Sequence, residues 1–122
     1  MEEKIKSYKE LIVWQKSINL VVEVYRLTDN FPREEIFGLT SQMRKSAISI
    51  PSNIAEGRGR GTRKDFSNFL KVSLGSSNEL ETQIEISKRL NYIKKCDYLD
   101  NLLVEIMKIT NTMIGKLDYN YK

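Results

Sequence analysis

Histidine is absent from this 122-residue sequence, and cysteine, proline and glycine are scarce, with one, two and six residues respectively. Without histidine, the chain cannot use Ser-His-Asp or Cys-His catalysis, and it cannot bind zinc or iron through imidazole. The single cysteine, Cys96, cannot form an internal disulfide or a Cys-x-x-Cys motif. We therefore expect no metal, no cofactor and no enzyme activity.

Long apolar runs are also missing. The longest uninterrupted one, residues 11–14, is far too short to span a bilayer, and residues 1–6 are charged where a signal peptide would be apolar. We expect a cytoplasmic protein that does not enter a membrane. The length is that of one domain, and we assign residues 1–122 to it.

The few glycines and prolines fall between long stretches in which apolar residues recur at helical spacing. This pattern predicts four helices and no sheet. The short connections predict an all-α, antiparallel, up-down-up-down four-helix bundle. The predicted helices run from Glu10 to Thr28, from Arg33 or Glu34 to Gly57, from Thr62 to Asn91, and from Asp97 to Leu117.

Local features refine this plan. The apolar rhythm of helix 2 continues through Pro51, which predicts a kink rather than a stop. Thr62 and Asp65 resemble a capping box at the start of helix 3. The run Ser73–Ser77, which contains Gly75, forms helix poorly. It is either a weak point in a long helix or a stripe of small side chains that lets a neighbouring helix approach closely.

Helix 1 has two adjacent apolar stripes, which together cover about 220° of its circumference. A helix in a monomeric bundle needs about half that width. We therefore expect a homo-oligomer, with the first stripe, including Trp14, Ile18 and Val21, in the core. The second stripe is expected at the subunit interface and consists of Val13, Leu20, Val24 and Leu27. The alternative is a helix 1 buried broadly inside one chain.

The excess positive charge is confined to one window. Residues 41–64 contain six basic residues and one acidic residue, whereas the rest of the chain is almost neutral. Arginines in a glycine-rich segment immediately before a helix N-terminus favour an anion such as phosphate. We predict that the window binds nucleic acid, although it could be only a solvated connection. The predicted binding residues are Arg44, Lys45, Arg58, Arg60, Arg63 and Lys64.

Several segments of the chain carry a family resemblance: residues 11–16 (LIVWQK), 49–57 (SIPSNIAEG) and 75–80 (GSSNEL). They resemble the bacterial four-helix-bundle proteins encoded in intervening sequences of large-subunit ribosomal RNA genes, known as the S23 ribosomal protein family. The resemblance implies a homopentamer and kinship with the accessory proteins of diversity-generating retroelements, which bind nucleic acid and a reverse transcriptase through basic surfaces. Arg44, Lys45 and the basic segment after Gly57 match the family pattern, whereas helix 4 matches only in its periodicity.

The first functional hypothesis is thus a non-enzymatic, homo-oligomeric protein that contacts the phosphates of structured RNA or of an RNA/DNA hybrid. The second is a structural adaptor for a protein partner such as a reverse transcriptase. An enzyme using Glu79, Glu81 and Glu85 is the least favoured, because Glu81 and Glu85 can pair with Lys88 and Arg89 along a solvated helix face.

Overall fold

The computed structural model describes residues 7–119, and most of them are helical. The helices are α1 (Ile12–Thr28), α2 (Leu39–Gly59), α3 (Arg63–Arg89) and α4 (Asp97–Tyr119), with short 3₁₀ turns at Tyr8–Glu10 and Arg33–Glu35. Residues 7–119 contain no strand. The all-α class predicted from the sequence is confirmed.

Consecutive helices pack side by side, and α4 closes the bundle against α1. As one moves forward along one helix, its contacts move backward along the helix before it, so neighbouring helices are antiparallel. The contacts that establish this order are those of Ser49 with Ser76, Met43 with Ser87, Lys88 with Asp100, and Lys71 with Asp118. The connection between α2 and α3 therefore lies at the same end of the bundle as the start of α1 and the end of α4.

The start of α2 lies later than predicted. Residues 33–35 form a separate 3₁₀ turn, and Gly38 then breaks the helical path with φ −114° and ψ −116°. The carboxylate of Glu35 accepts a hydrogen bond from the Leu39 N–H at 3.0 Å. Glu35 thus caps α2, which begins at Leu39, four residues after Glu35. Acidic residues alone do not distinguish a 3₁₀ turn from the first turn of an α-helix.

The other boundaries agree closely with the sequence. Helix α2 runs through Pro51 without stopping. The Thr62 hydroxyl accepts a hydrogen bond from the Asp65 N–H at 3.1 Å, which confirms the predicted cap of α3. Helix α3 ends just before Asn91, whose φ of 63° is left-handed and incompatible with a continuing right-handed helix.

Small side chains allow α2 and α3 to approach closely. The buried Ser73 hydroxyl donates to the Ile50 carbonyl at 3.1 Å, and the hydroxyl oxygens of Ser49 and Ser76 lie 2.7 Å apart. A Cβ atom at Gly75 would have no neighbour among residues 7–119 within 4 Å, because this glycine faces outward. Close helix approach is therefore the correct explanation of the serine-rich run, and the serines rather than Gly75 provide it.

Helix α1 buries the stripe that was predicted for the interface, while Trp14 and Val21 of the predicted core stripe pack against the core and are only partly buried. Val13, Leu20 and Val24 are at most 1% exposed, and Leu27 is partly buried against the core. Residues buried inside their own chain have no surface to offer a second subunit, so the assignment of Val13, Leu20 and Val24 to an oligomer interface is wrong. For the partly buried Leu27 it stays a prediction. Ile18, which was expected in the core, is instead 36% exposed.

Two hydroxyl residues belong to the buried stripe. Ser17 and Thr28 lie on the same face as the buried valines, and both are buried. Their hydroxyls donate to the carbonyls of Val13 at 2.6 Å and of Val24 at 2.7 Å, so each polar group is satisfied within the helix. A hydroxyl bonded to the carbonyl four residues earlier can enter a core, although hydrophobic periodicity counts it as polar.

Candidate nucleic-acid interface

The basic segment between α2 and α3 is shorter and more ordered than the sequence suggested. Helix α2 continues to Gly59 and α3 begins at Arg63, so only residues 60–62 connect them. Gly61 has a φ of 86°, which side chains other than glycine rarely adopt, and this lets the chain reverse within three residues. Of the predicted basic residues, only Arg60 lies in the connection. Arg58 belongs to the last turn of α2, and Arg63 and Lys64 to the first turn of α3.

The basic residues on both sides of this short connection have defined contacts. The Arg60 guanidinium lies 2.7 Å from a carboxylate oxygen of Glu56 and 5.0 Å from the ring centre of Phe69. Arg63 donates to the Lys116 carbonyl at 3.3 Å. These contacts are exposed and weak, so each guanidinium can still bind an anion from solvent.

Lysines on α3 extend this surface. Lys64 is exposed and makes no ion pair within residues 7–119. Lys71, two turns later on the same helix face, lies 3.0 Å from a carboxylate oxygen of Asp118. Hydrogen bonds from Ser67 and Lys71 hold the pKa of Asp118 below its ordinary value, which keeps this carboxylate charged and the ends of α3 and α4 together.

Sequence analysis missed Lys71, although its seven-residue spacing from Lys64 could have indicated a shared helix face. We call the surface formed by these residues the basic end. Its members are Arg58, Arg60, Arg63, Lys64 and Lys71.

Arg44 and Lys45 do not belong to the basic end. Arg44 is 16 residues before Arg60 in the chain, which corresponds to about 24 Å along the helix. The Arg44 side chain is also engaged locally: it donates to the Thr28 hydroxyl at 2.9 Å and pairs with Asp29 at 3.0 Å. The six predicted residues thus form two separate groups. Arg44 is better explained as a structural residue that links α2 to the end of α1 than as a nucleic-acid-binding residue.

The up-down-up-down order also predicts that both chain ends, with Tyr8, Tyr119, Tyr121 and several lysines, lie near the basic end, and the structure describes part of this set. Tyr8 packs against Trp14, with ring centres 5.3 Å apart, so its ring faces the protein. Tyr119 is 72% exposed at the end of α4. Other terminal residues assigned to this surface lie outside the described residues: Lys4, Lys6, Tyr121 and Lys122.

Two shallow apolar grooves run along opposite sides of the bundle. The α1/α2 groove consists of two hollows of about 400 and 300 Å³ that share Ile48. Its lining includes Tyr8, Trp14, Ile18, Tyr25, Lys45 and Ile48. The α3/α4 groove is a hollow of about 610 Å³. Its lining includes Glu81, Glu85, Ile86, Asp100, Leu103 and Val104.

Of the carboxylates considered for catalysis, Glu81 and Glu85 both line the α3/α4 groove, whereas Glu79 does not. Glu85 pairs with Arg89 at 2.9 Å as expected, whereas Lys88 pairs with Asp100 of α4 at 2.8 Å. Residues 7–119 contain no group of His, Cys, Asp and Glu side chains arranged to hold a metal ion. None of the helices in residues 7–119 has the length and apolar character needed to cross a membrane.

Comparisons with known proteins identify a family and a similar fold. The sequence profile of the 23S rRNA-intervening sequence protein family matches residues 9–113. The fold is similar to the crystal structure of a protein of unknown function from the S23 ribosomal protein family of Bacteroides thetaiotaomicron, with a TM-score of 0.75. The two are 30% identical, and the similarity covers 84% of this chain and 98% of that one. No curated protein matches this sequence. The family match extends into α4, which the sequence motifs did not reach.

Proposed function

The chain belongs to the 23S rRNA-intervening sequence protein family, and we propose that it is a non-enzymatic, self-associating protein that binds nucleic acid through the basic end of its bundle. We propose structured RNA or an RNA/DNA hybrid in the cytoplasm as the ligand, in keeping with the family's link to an rRNA gene. We also propose the homopentamer that the resemblance implied.

The observation that supports this proposal most directly is the arrangement of Arg60, Arg63 and Lys64 around the N-terminus of α3. All three are exposed, and the first-turn amides and dipole of α3 also favour negative charge. Such a site neutralises phosphates and reads no bases, so it predicts binding that depends strongly on salt and has little sequence preference.

Self-association would increase the number of phosphate-binding sites that act on one polynucleotide. In a cyclic oligomer, every basic end faces the same side of the ring, and several weak phosphate sites act on one polynucleotide together. The exposed apolar side chains of the α1/α2 groove are consistent with association, because large exposed apolar patches on small proteins usually contact a partner.

The proposal is tested by measuring the affinity for labelled duplexes of RNA, DNA and RNA/DNA as a function of salt. The test variant replaces Arg60, Arg63 and Lys64 with Gln. A control variant replaces Arg33, Lys94 and Lys95 with Gln. These residues are exposed at the opposite end of the bundle, so the control removes the same three positive charges. Each lost phosphate contact should reduce the slope of log affinity against log salt by about 0.9 on duplex DNA.

We expect the basic-end variant to bind more weakly and with a slope smaller by about two to three, and the control to keep the parent slope. Equal slopes for all three proteins would contradict the proposal. The adaptor function would then be preferred, with a protein partner such as a reverse transcriptase. A specific observation favours that alternative: Phe37, in the turn before α2, is 96% exposed, and isolated aromatic side chains of this kind often anchor protein interfaces.

A further inference from the structure

The two apolar grooves lie on opposite sides of the bundle, because α1 and α3 each contact α2 and α4 and occupy opposite corners. Each groove exposes large apolar side chains. In the α1/α2 groove, Tyr25 is 38% exposed and Ile48 42%. In the α3/α4 groove, Ile86 is 44% exposed and Val104 43%. Burying these apolar side chains would therefore be energetically favourable, and no part of residues 7–119 covers either groove.

The grooves also carry opposite charges. Lys45 lines the α1/α2 groove and Glu81 lines the α3/α4 groove, and both are exposed. Neither side chain forms an ion pair with any residue in the range 7–119. By contrast, several other charged residues of these grooves, such as Arg44 and Asp100, are paired within the chain.

Lys45 and Glu81 lie at the same level along the bundle. The hydrogen bond of Ser87 to Met43 fixes the register of α2 and α3 on one side of this level. The contact between Ser49 and Ser76 fixes it on the other side. Lys45 lies between the two α2 residues, and Glu81 lies between the two α3 residues. A neighbouring copy rotated about an axis parallel to the bundle would therefore bring the two charges to the same height.

We infer that a second copy of this chain occupies each groove, with the α1/α2 groove of one subunit packed on the α3/α4 groove of the next and Lys45 opposite Glu81. This inference rests on the self-association in the proposed function and names its interface. The contact joins two different surfaces, so it repeats from subunit to subunit and closes into a ring when the rotation allows. All subunits point the same way, so all basic ends lie on one side.

The inference is tested by light scattering at several concentrations on the parent, Lys45→Glu, Glu81→Lys and the double variant that exchanges the two charges. Lys94→Glu is the control, because Lys94 is exposed in the turn before α4 and outside both grooves. Circular dichroism establishes that each variant is folded. We expect each single variant to weaken association by about tenfold or more, because it places like charges opposite each other. The double variant should recover most of the parent affinity, and the control should match the parent.

Single variants that associate as tightly as the parent would overturn the inference. So would single variants that dissociate without recovery in the double variant, because the two residues would then not face each other. A monomeric parent would instead refute self-association itself, and that result appears before any variant is made. The salt dependence of nucleic-acid binding is measured separately and does not depend on this interface.

Discussion

Replacing Gly57 with Ala tests how closely α2 and α3 pack beside the basic end. A Cβ atom at Gly57 would lie 2.6 Å from the Cβ of Phe69 and 3.3 Å from a ring carbon of Phe66. Carbon atoms in contact are normally about 3.5 to 4.0 Å apart. Helix α3 must therefore move away from α2 by about 1 Å, and overpacking of this kind costs about 1 to 3 kcal/mol.

The same substitution at Gly75 is a matched control. Gly75 is also inside a helix, but apart from its chain neighbours and the adjacent backbone of α3, a Cβ there would meet no atom of residues 7–119 within 4 Å. Replacing a helical glycine with alanine stabilises by up to about 1 kcal/mol when nothing else changes. We therefore expect Gly75→Ala to stabilise the chain by about that amount. Gly57→Ala should be less stable than Gly75→Ala by about 1 to 3 kcal/mol, which is the packing cost alone.

Urea unfolding followed by circular dichroism measures both free energies, at equal chain concentration because association adds to stability. For a chain of this size, each kcal/mol also shifts the melting temperature by about 4 °C. The slope of the free energy of unfolding against urea concentration should equal that of the parent in both variants, because neither change alters the surface exposed on unfolding. If Gly57→Ala proved as stable as Gly75→Ala, the close approach of α2 and α3 at Phe69 would be refuted.

Two further predictions follow from the titratable groups. The pKa of Asp118 is lower in the folded chain, so the stability that Asp118 contributes is present above its unfolded pKa of about 3.9 and is lost as the pH falls through the lower folded value. Urea unfolding should therefore show Asp118→Asn as less stable than the parent near neutral pH, with a smaller difference at about pH 3, and an equal difference at both pH values would contradict this. Burial raises the pKa of the Cys96 thiol to about 11, and the side chain is only 6% exposed. Folded protein should react with a thiol reagent far more slowly than urea-unfolded protein near pH 8, and equally fast labelling of both would show that Cys96 is accessible.

Hydrophobic periodicity predicts four helices and most of their ends, because the chain has few prolines and glycines and most of its helices end near residues that disfavour or cap a helix. It does not predict which stripe of α1 is buried. That choice depends on Ser17 and Thr28, whose hydroxyls bond to carbonyls of their own helix and enter the core as small, satisfied groups. In α3, Ser73 and Ser76 are satisfied by bonds to α2, and the sequence predicted their packing role only as one of two alternatives. In this chain, hydroxyl residues at core spacing should be counted with the apolar ones.

The charged window shows a different limit of sequence reasoning. Counting charges along the chain grouped Arg44 with Arg60, although the helix between them separates the two side chains by about 24 Å. It also omitted Lys71, which lies seven residues beyond the end of the window and two helical turns from Lys64 on the same helix face. A binding surface is defined by helix faces and by which charges are already paired. Asp29 engages Arg44, whereas Lys64 makes no ion pair within residues 7–119. Removing Lys64 should therefore reduce phosphate binding more than removing Arg44, whose loss should mainly loosen the end of α1.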